Sequence, residues 1–104
     1  MAAVTGSRVA EFLGQGDDDG LVALASEHAE ITTAMARAYT RAGGFVSGVP
    51  NEEIAAVITV AAARMVANPE QIASTVGGVS VRGGFSGWTL AELFVLNRYR
   101  KRAQ

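Results

Sequence analysis

The stretch Asp19-Gly20-Leu21-Val22-Ala23-Leu24-Ala25-Ser26-Glu27-His28-Ala29-Glu30-Ile31-Thr32-Thr33-Ala34-Met35-Ala36-Arg37-Ala38-Tyr39-Thr40-Arg41-Ala42 decides the fold class. Leu21, Leu24, His28, Ile31, Met35, Tyr39 and Ala42 recur at three- and four-residue steps, while Glu30, Thr33, Arg37 and Arg41 take the far side. That spacing matches the turn of an α-helix and predicts one long amphipathic helix, about six turns, as the spine of the domain. Asp17-Asp18-Asp19 opens it, with acids suited to the positive end of the helix dipole. The three aspartates lack the alternate spacing and distal glutamate of a calcium-binding EF-hand loop. Gly43-Gly44 closes the helix through the left-handed conformation that glycine tolerates.

Upstream, residues 7–13 read as a short helix with Ser7 as N-cap and Val9, Phe12 and Leu13 as its apolar edge, ended by Gly14 and Gly16. Downstream, Phe45, Val46 and Val49 punctuate a connection of about six residues. Pro50 then sits at the first turn of a third helix, followed by Asn51, Glu52 and Glu53 near its positive end. That helix, about Asn51 to Ala67, is apolar on nearly all sides. Ile54, Val57, Ile58, Val60, Met65 and Val66 stand among six alanines, interrupted by Thr59 and Arg64. A helix without a polar face must be covered on more than one side, either by close packing against the second helix or by neighbouring subunits.

Asn68-Pro69 stops the third helix, because the proline ring pushes the preceding residue out of the α region. In Thr75-Val76-Gly77-Gly78-Val79-Ser80-Val81 the valines interleave with small residues. This predicts extended chain, with a hairpin turn or bulge at Gly77-Gly78. Gly83-Gly84 and Gly87 make a bent connector. Thr89 with Glu92 forms a capping box that starts a last helix, with Trp88 as an anchor just before it. Leu90, Leu93, Phe94 and Leu96 are expected to face inward. The fold class is therefore mainly α: one domain over 1–104, a small bundle of about four helices. Residues 68–104 supply an extended or hairpin segment and the C-terminal helix.

Charge is unevenly distributed. Residues 1–70 carry nine acids and four bases, and residues 71–104 one acid and five bases, within a net charge of −1. Arg98, Arg100, Lys101 and Arg102 surround Tyr99 at the very end. Basic groups interleaved with an aromatic can grip a phosphate backbone or dock in an acidic groove; alternatively, they complement the negative end of a helix dipole. Cysteine is absent, excluding disulfides and thiolate metal sites. His28 is the only histidine, expected as a partly buried, hydrogen-bonded side chain. Glu52 and Glu53 are adjacent on a helix and point apart. With no nucleophile–base pair, no Walker-type glycine–lysine loop and no helix-borne metal pair, the sequence reads as neither an enzyme nor a cofactor carrier. The N-terminus lacks a signal-peptide pattern, and the apolar run from Ile54 to Ala63 is too short to span a bilayer.

The C-terminal third resembles the head-tail connector (head-completion adaptor) family of tailed bacteriophages, particularly those of actinobacterial phages. The resemblance is carried by Asn68-Pro69 after an Ala-rich helix, Ser74-Thr75-Val76-Gly77, Ser80-Val81 and the closing Leu96-Asn97-Arg98-Tyr99-Arg100. Where such proteins often carry an aromatic after the middle glycine and an arginine before Arg-Tyr-Arg, this chain has Gly78-Val79 and Asn97. The resemblance implies a virion protein of the neck, made in the host cytoplasm. It implies a homo-oligomeric ring, usually dodecameric, docked under the portal protein, extending the DNA channel and presenting a surface to the next neck or tail-completion protein. On that reading Arg98, Tyr99, Arg100, Lys101 and Arg102 carry the portal contact. Val76, Gly77, Gly78, Val79, Val81 and Arg82 then carry ring or neck contacts. The alternative is a small helical DNA-binding regulator using the same basic end, against which stand a sequence pI of about 5.7 and the lack of a compact basic helix-turn-helix. A homo-oligomeric helical protein of unrelated purpose is a third reading.

Overall fold

The structure is a computed structural model, which describes residues 3–67 and 87–101. Four helices lie within them: α1 (Gly6–Phe12), α2 (Asp19–Thr40), α3 (Glu52–Ala67) and α4 (Leu90–Tyr99). A two-stranded antiparallel ribbon, β1 (Phe45–Val46) and β2 (Val49–Pro50), joins α2 to α3. The chain is thus mainly helical, as the periodicities predict. The expected hairpin at Gly77-Gly78 lies outside the described residues. Among those residues, no helix is long and apolar enough to cross a membrane.

Local chemistry sets the helix ends. Thr5, rather than Ser7, is the N-cap of α1: its hydroxyl accepts from the Arg8 amide at 3.1 Å, and Ser7 falls inside the helix. Asp18 caps α2 by accepting from the Leu21 amide at 3.0 Å. Asn51 does the same for α3, accepting from Ile54 at 2.9 Å. Pro50 therefore precedes the cap and pairs with Phe45 in the ribbon instead of occupying the first helical turn. The ribbon forms where a plain loop was expected because Ser47 and Gly48 both take positive φ, the conformation of the tight turns that join twisted strands.

The carboxyl end of α2 departs from expectation in an instructive way. The left-handed residues are Arg41 (φ 56°) and Ala42 (φ 67°), followed by Gly44 at 80°. A non-glycine residue pays on the order of 1–2 kcal/mol for that conformation, so surrounding contacts must hold the turn. Gly43 is needed for space: a Cβ there would collide with the carbonyl oxygen of Tyr99.

The core seam runs about 100° round α2 from the stripe of large residues. The buried side chains are Ala25, Ala29, Thr32, Ala36 and Thr40, one position on from the expected His28, Ile31, Met35 and Tyr39. Leu24 and Ile31 are exposed. The reason is small-to-small packing: α3 presents Ala61, Ala62 and Ala63, and two alanine surfaces let the backbones approach closely. Leu21, Met35 and Tyr39, half-buried, flank that seam. Leu21 covers a cluster of Val9, Ala25, Ala29, Ala62, Ala63 and Val66; Tyr39 covers Ala36, Ile54, Val57, Ile58 and Leu96; Met35 covers Ala61 and Met65 beside Trp88. Buried hydroxyls are satisfied by their own helices: Thr32, Thr40 and Thr59 donate to the carbonyls of His28, Ala36 and Ala55 at 2.7–2.9 Å.

Helices α1 and α4 flank the α2–α3 pair. α1 approaches α2 at Gly6, where a Cβ would lie 2.7 Å from the Ser26 nitrogen. Val9 and Ala10 are its buried residues, while Phe12 is exposed. Of the expected inward residues Leu90, Leu93, Phe94 and Leu96, α4 buries Leu96 and half-buries Leu93, and Glu92, Val95 and Tyr99, with Trp88 just before the helix, complete its inward side in place of Leu90 and Phe94. Leu96 is fully buried and Leu93 half-buried, but Leu90 and Phe94 are 69% and 70% exposed.

Candidate interaction surface

Glu92 explains why α4 turns as it does. Its carboxylate is only 6% exposed and accepts twice from the Arg64 guanidinium of α3, at 2.8 and 3.2 Å. It also closes the capping box, accepting from the Thr89 amide at 2.9 Å while Thr89 Oγ1 accepts from the Glu92 amide at 3.2 Å. Arg64 reads in the sequence as an interruption of an apolar helix, yet it is the partner that fixes α4 against α3. The lone acid among the last 34 residues was the available signal.

The C-terminal residues are drawn inward. Arg98 lies 3.8 Å from Glu53, and the Tyr99 hydroxyl donates to the same carboxylate at 2.7 Å. That hydrogen bond to an anion raises the Tyr99 pKa above its ordinary value. Arg100 sits over the Tyr39 ring, 4.7 Å from its centroid, and its Nε donates to the Tyr39 carbonyl at 3.0 Å. The Lys101 amide donates to the Thr40 carbonyl at 3.1 Å, and Arg41 donates to the Lys101 carbonyl at 2.7 Å. Tyr39 in turn donates to Asn97 Oδ1 at 2.6 Å. The cationic end therefore does complement a helix terminus, but that of α2, whose last carbonyls it caps. Of the five residues read as a portal contact, Arg98, Tyr99 and Arg100 have side-chain polar groups engaged within the chain, Arg98 through its ion pair with Glu53. Arg98 and Lys101 are exposed, and Arg102 lies outside the described residues. So do Val76, Gly77, Gly78, Val79, Val81 and Arg82.

Apolar surface remains uncovered on two sides. A groove of about 600 Å³ runs between α3 and α4, walled by Ala56, Val57, Val60, Ala91 and Val95. Glu53 with Arg98, and Arg64 with Glu92, also line it. Val60 and Ala56 also border a second groove of about 420 Å³, shared with Phe12 of α1. Leu90 and Phe94 stand beside the first groove on the outward side of α4. The other apolar patch is Leu24 and Ile31 on α2. At 100° per residue Leu24 and Ile31 lie about 100° round α2 from Ala25 and Thr32 of the seam, so this patch is set to one flank of the α3 contact. His28, half-buried on the flank of α2, has a buried Nδ1 with no hydrogen-bond partner among the described residues. Those residues hold no cluster of three or more metal-ligating side chains. No protein-family model, curated protein or solved structure matches the chain.

Proposed function

We propose that the chain is a structural subunit of a phage head-to-tail adaptor, assembling with copies of itself into a ring under the portal. The observation that carries this, beside the family resemblance, is that one small subunit leaves large apolar side chains exposed on different helices. Leu24 and Ile31 are exposed on α2, Val60 on α3, and Leu90 and Phe94 on α4. A head-to-tail contact that joins unlike surfaces and closes by rotation makes a ring, and such a contact needs two different patches. Burying several large side chains at each junction is worth roughly 1.5–3 kcal/mol per fully covered residue before association costs. Portal docking is assigned to the exposed cations Arg98 and Lys101, with Arg102 beyond them, and the passage of DNA requires no base-specific contact.

The test mixes purified portal rings with the wild-type chain and with an R98E/K101E variant, reading co-sedimentation and particle images by electron microscopy. Rings bound to the portal by the wild type, and lost or weakened in the variant, are expected. A wild-type chain that stays monomeric and ignores the portal overturns the proposal. Duplex binding that falls steeply with salt would instead favour the DNA-binding regulator.

A further inference from the structure

The C-terminal segment is seated on a part of the chain shaped to receive it. Gly43 has no room for a side chain because the Tyr99 carbonyl occupies that space, and a Cβ on Gly44 would lie 3.2 Å from the Tyr99 ring. The seat itself is strained: Arg41 and Ala42 are consecutive non-glycine residues at positive φ. Apart from the Arg100 amide's local bond to the Asn97 carbonyl and the Asn51 side chain beside the Tyr99 hydroxyl, the described polar attachments after Asn97 fall on this turn, the last residues of α2 or Glu53. The Lys101 amide meets Thr40, the Arg100 guanidinium meets Tyr39, the Arg41 guanidinium meets the Lys101 carbonyl, and the Tyr99 hydroxyl meets Glu53. The three side-chain bonds among them are exposed ones. Of the described residues beyond Tyr99, neither Arg100 nor Lys101 carries a large apolar side chain.

We propose that Arg98–Lys101 is a releasable clasp, closed over the carboxyl end of α2, whose opening relaxes the left-handed turn at Arg41–Ala42 as one unit. The side-chain hydrogen bonds that hold the clasp are solvent-accessible and few, its one apolar anchor is the half-buried Tyr99 at the last turn of α4, and the turn beneath it favours a different backbone conformation once they are gone. Opening therefore occurs without loss of the α2–α3 core. It frees the Arg41, Arg98 and Arg100 guanidinium groups together, and uncovers the last carbonyls of α2. The clasp stands on the fold alone, whatever the chain assembles with.

Amide hydrogen exchange on the full-length protein, followed by nuclear magnetic resonance, tests this. The reporters are Lys101, Ala42 and Phe45, whose amides are bonded to Thr40, Arg37 and Ala42; Ile58 and Ala62 in α3 report the core. In the wild type the three reporters should exchange together, at least about 100-fold faster than the core pair, as a local opening does. Arg100→Ala should speed all three by about tenfold and leave the core pair unchanged, and Tyr99→Phe should act in the same direction with a smaller effect. Reporters that exchange at the core rate would overturn the proposal, since the segment would then open only with the whole fold. So would variants that accelerate Lys101 alone and leave Ala42 and Phe45 untouched, or that raise the core rates equally.

Discussion

Replacing Glu92 by alanine is the sharpest test of how α4 is held. The substitution removes both Arg64 contacts and the acceptor for the Thr89 amide. Breaking a fully buried ion pair from one side costs about 3–5 kcal/mol, because the remaining charge is left unpaired. Arg64 is 22% exposed, so water recovers part of that loss and about 2–3 kcal/mol remains. Losing one arm of the capping box adds about 0.5–1 kcal/mol. The sum, roughly 3–4 kcal/mol, is a large share of the stability expected for a small domain, and at about 4–8 °C per kcal/mol it lowers Tm by more than ~12 °C. Glu92→Gln keeps an acceptor for Thr89 and one for Arg64, so it should cost about half as much. The assay is urea unfolding of wild type, Glu92→Ala, Arg64→Met and the double variant, arranged as a cycle. The double variant should recover stability relative to Glu92→Ala, since it strands no charge. A coupling energy below about 0.5 kcal/mol, or a double variant as unstable as the two single losses added, refutes the assignment of this pair as the tie between α3 and α4.

Other consequences are as direct. Gly6→Ala inserts a methyl where α1 meets Ser26 and should destabilise by about 1–3 kcal/mol in thermal unfolding, despite alanine's better helix propensity. A Leu90→Ser/Phe94→Ser variant removes only exposed apolar groups, so its melting should move by less than about 1 kcal/mol. Its association, read by analytical ultracentrifugation, should be lost if these residues meet a neighbour. Tyr99 is the pH-dependent member of the C-terminal contacts. Because its folded pKa is raised above the unfolded one by the bond to Glu53, its contribution is complete below the ordinary tyrosine pKa and is lost as pH rises through the folded value. Ultraviolet titration should place Tyr99 above free tyrosine, and Glu53→Gln should bring it down.

Several of these contacts were within reach of the sequence. The capping box at Thr89 and Glu92, the acid-led start of α2 at Asp18, and the long periodic spine all rest on local chemistry, and each forms as read. The orientation of α2 was not legible in the same way. Its large residues make a clean stripe, but the seam is chosen by the alanines, because α3 offers a surface of alanines that favours close backbone approach over bulk. A single helix cannot report which of its two stripes a partner will prefer. The same holds for α4, where Glu92 sits in the inward stripe only because Arg64 waits there, 28 residues earlier.

The sequence by itself determined that this chain is helical, where α2 and α4 start, and that its cations gather at the end, because these follow from spacing, caps and composition within a few residues. Only the tertiary structure decided what those cations touch. Tyr99, Arg100 and Lys101 reach back about sixty residues in the chain to cap α2 or forty-six to meet Glu53, and such pairings depend on how α4 crosses the pair of helices beneath it. Packing, not periodicity, also left Leu24, Ile31, Leu90 and Phe94 in water. Four helices this rich in alanine close their core with small side chains and leave the large ones over for a surface.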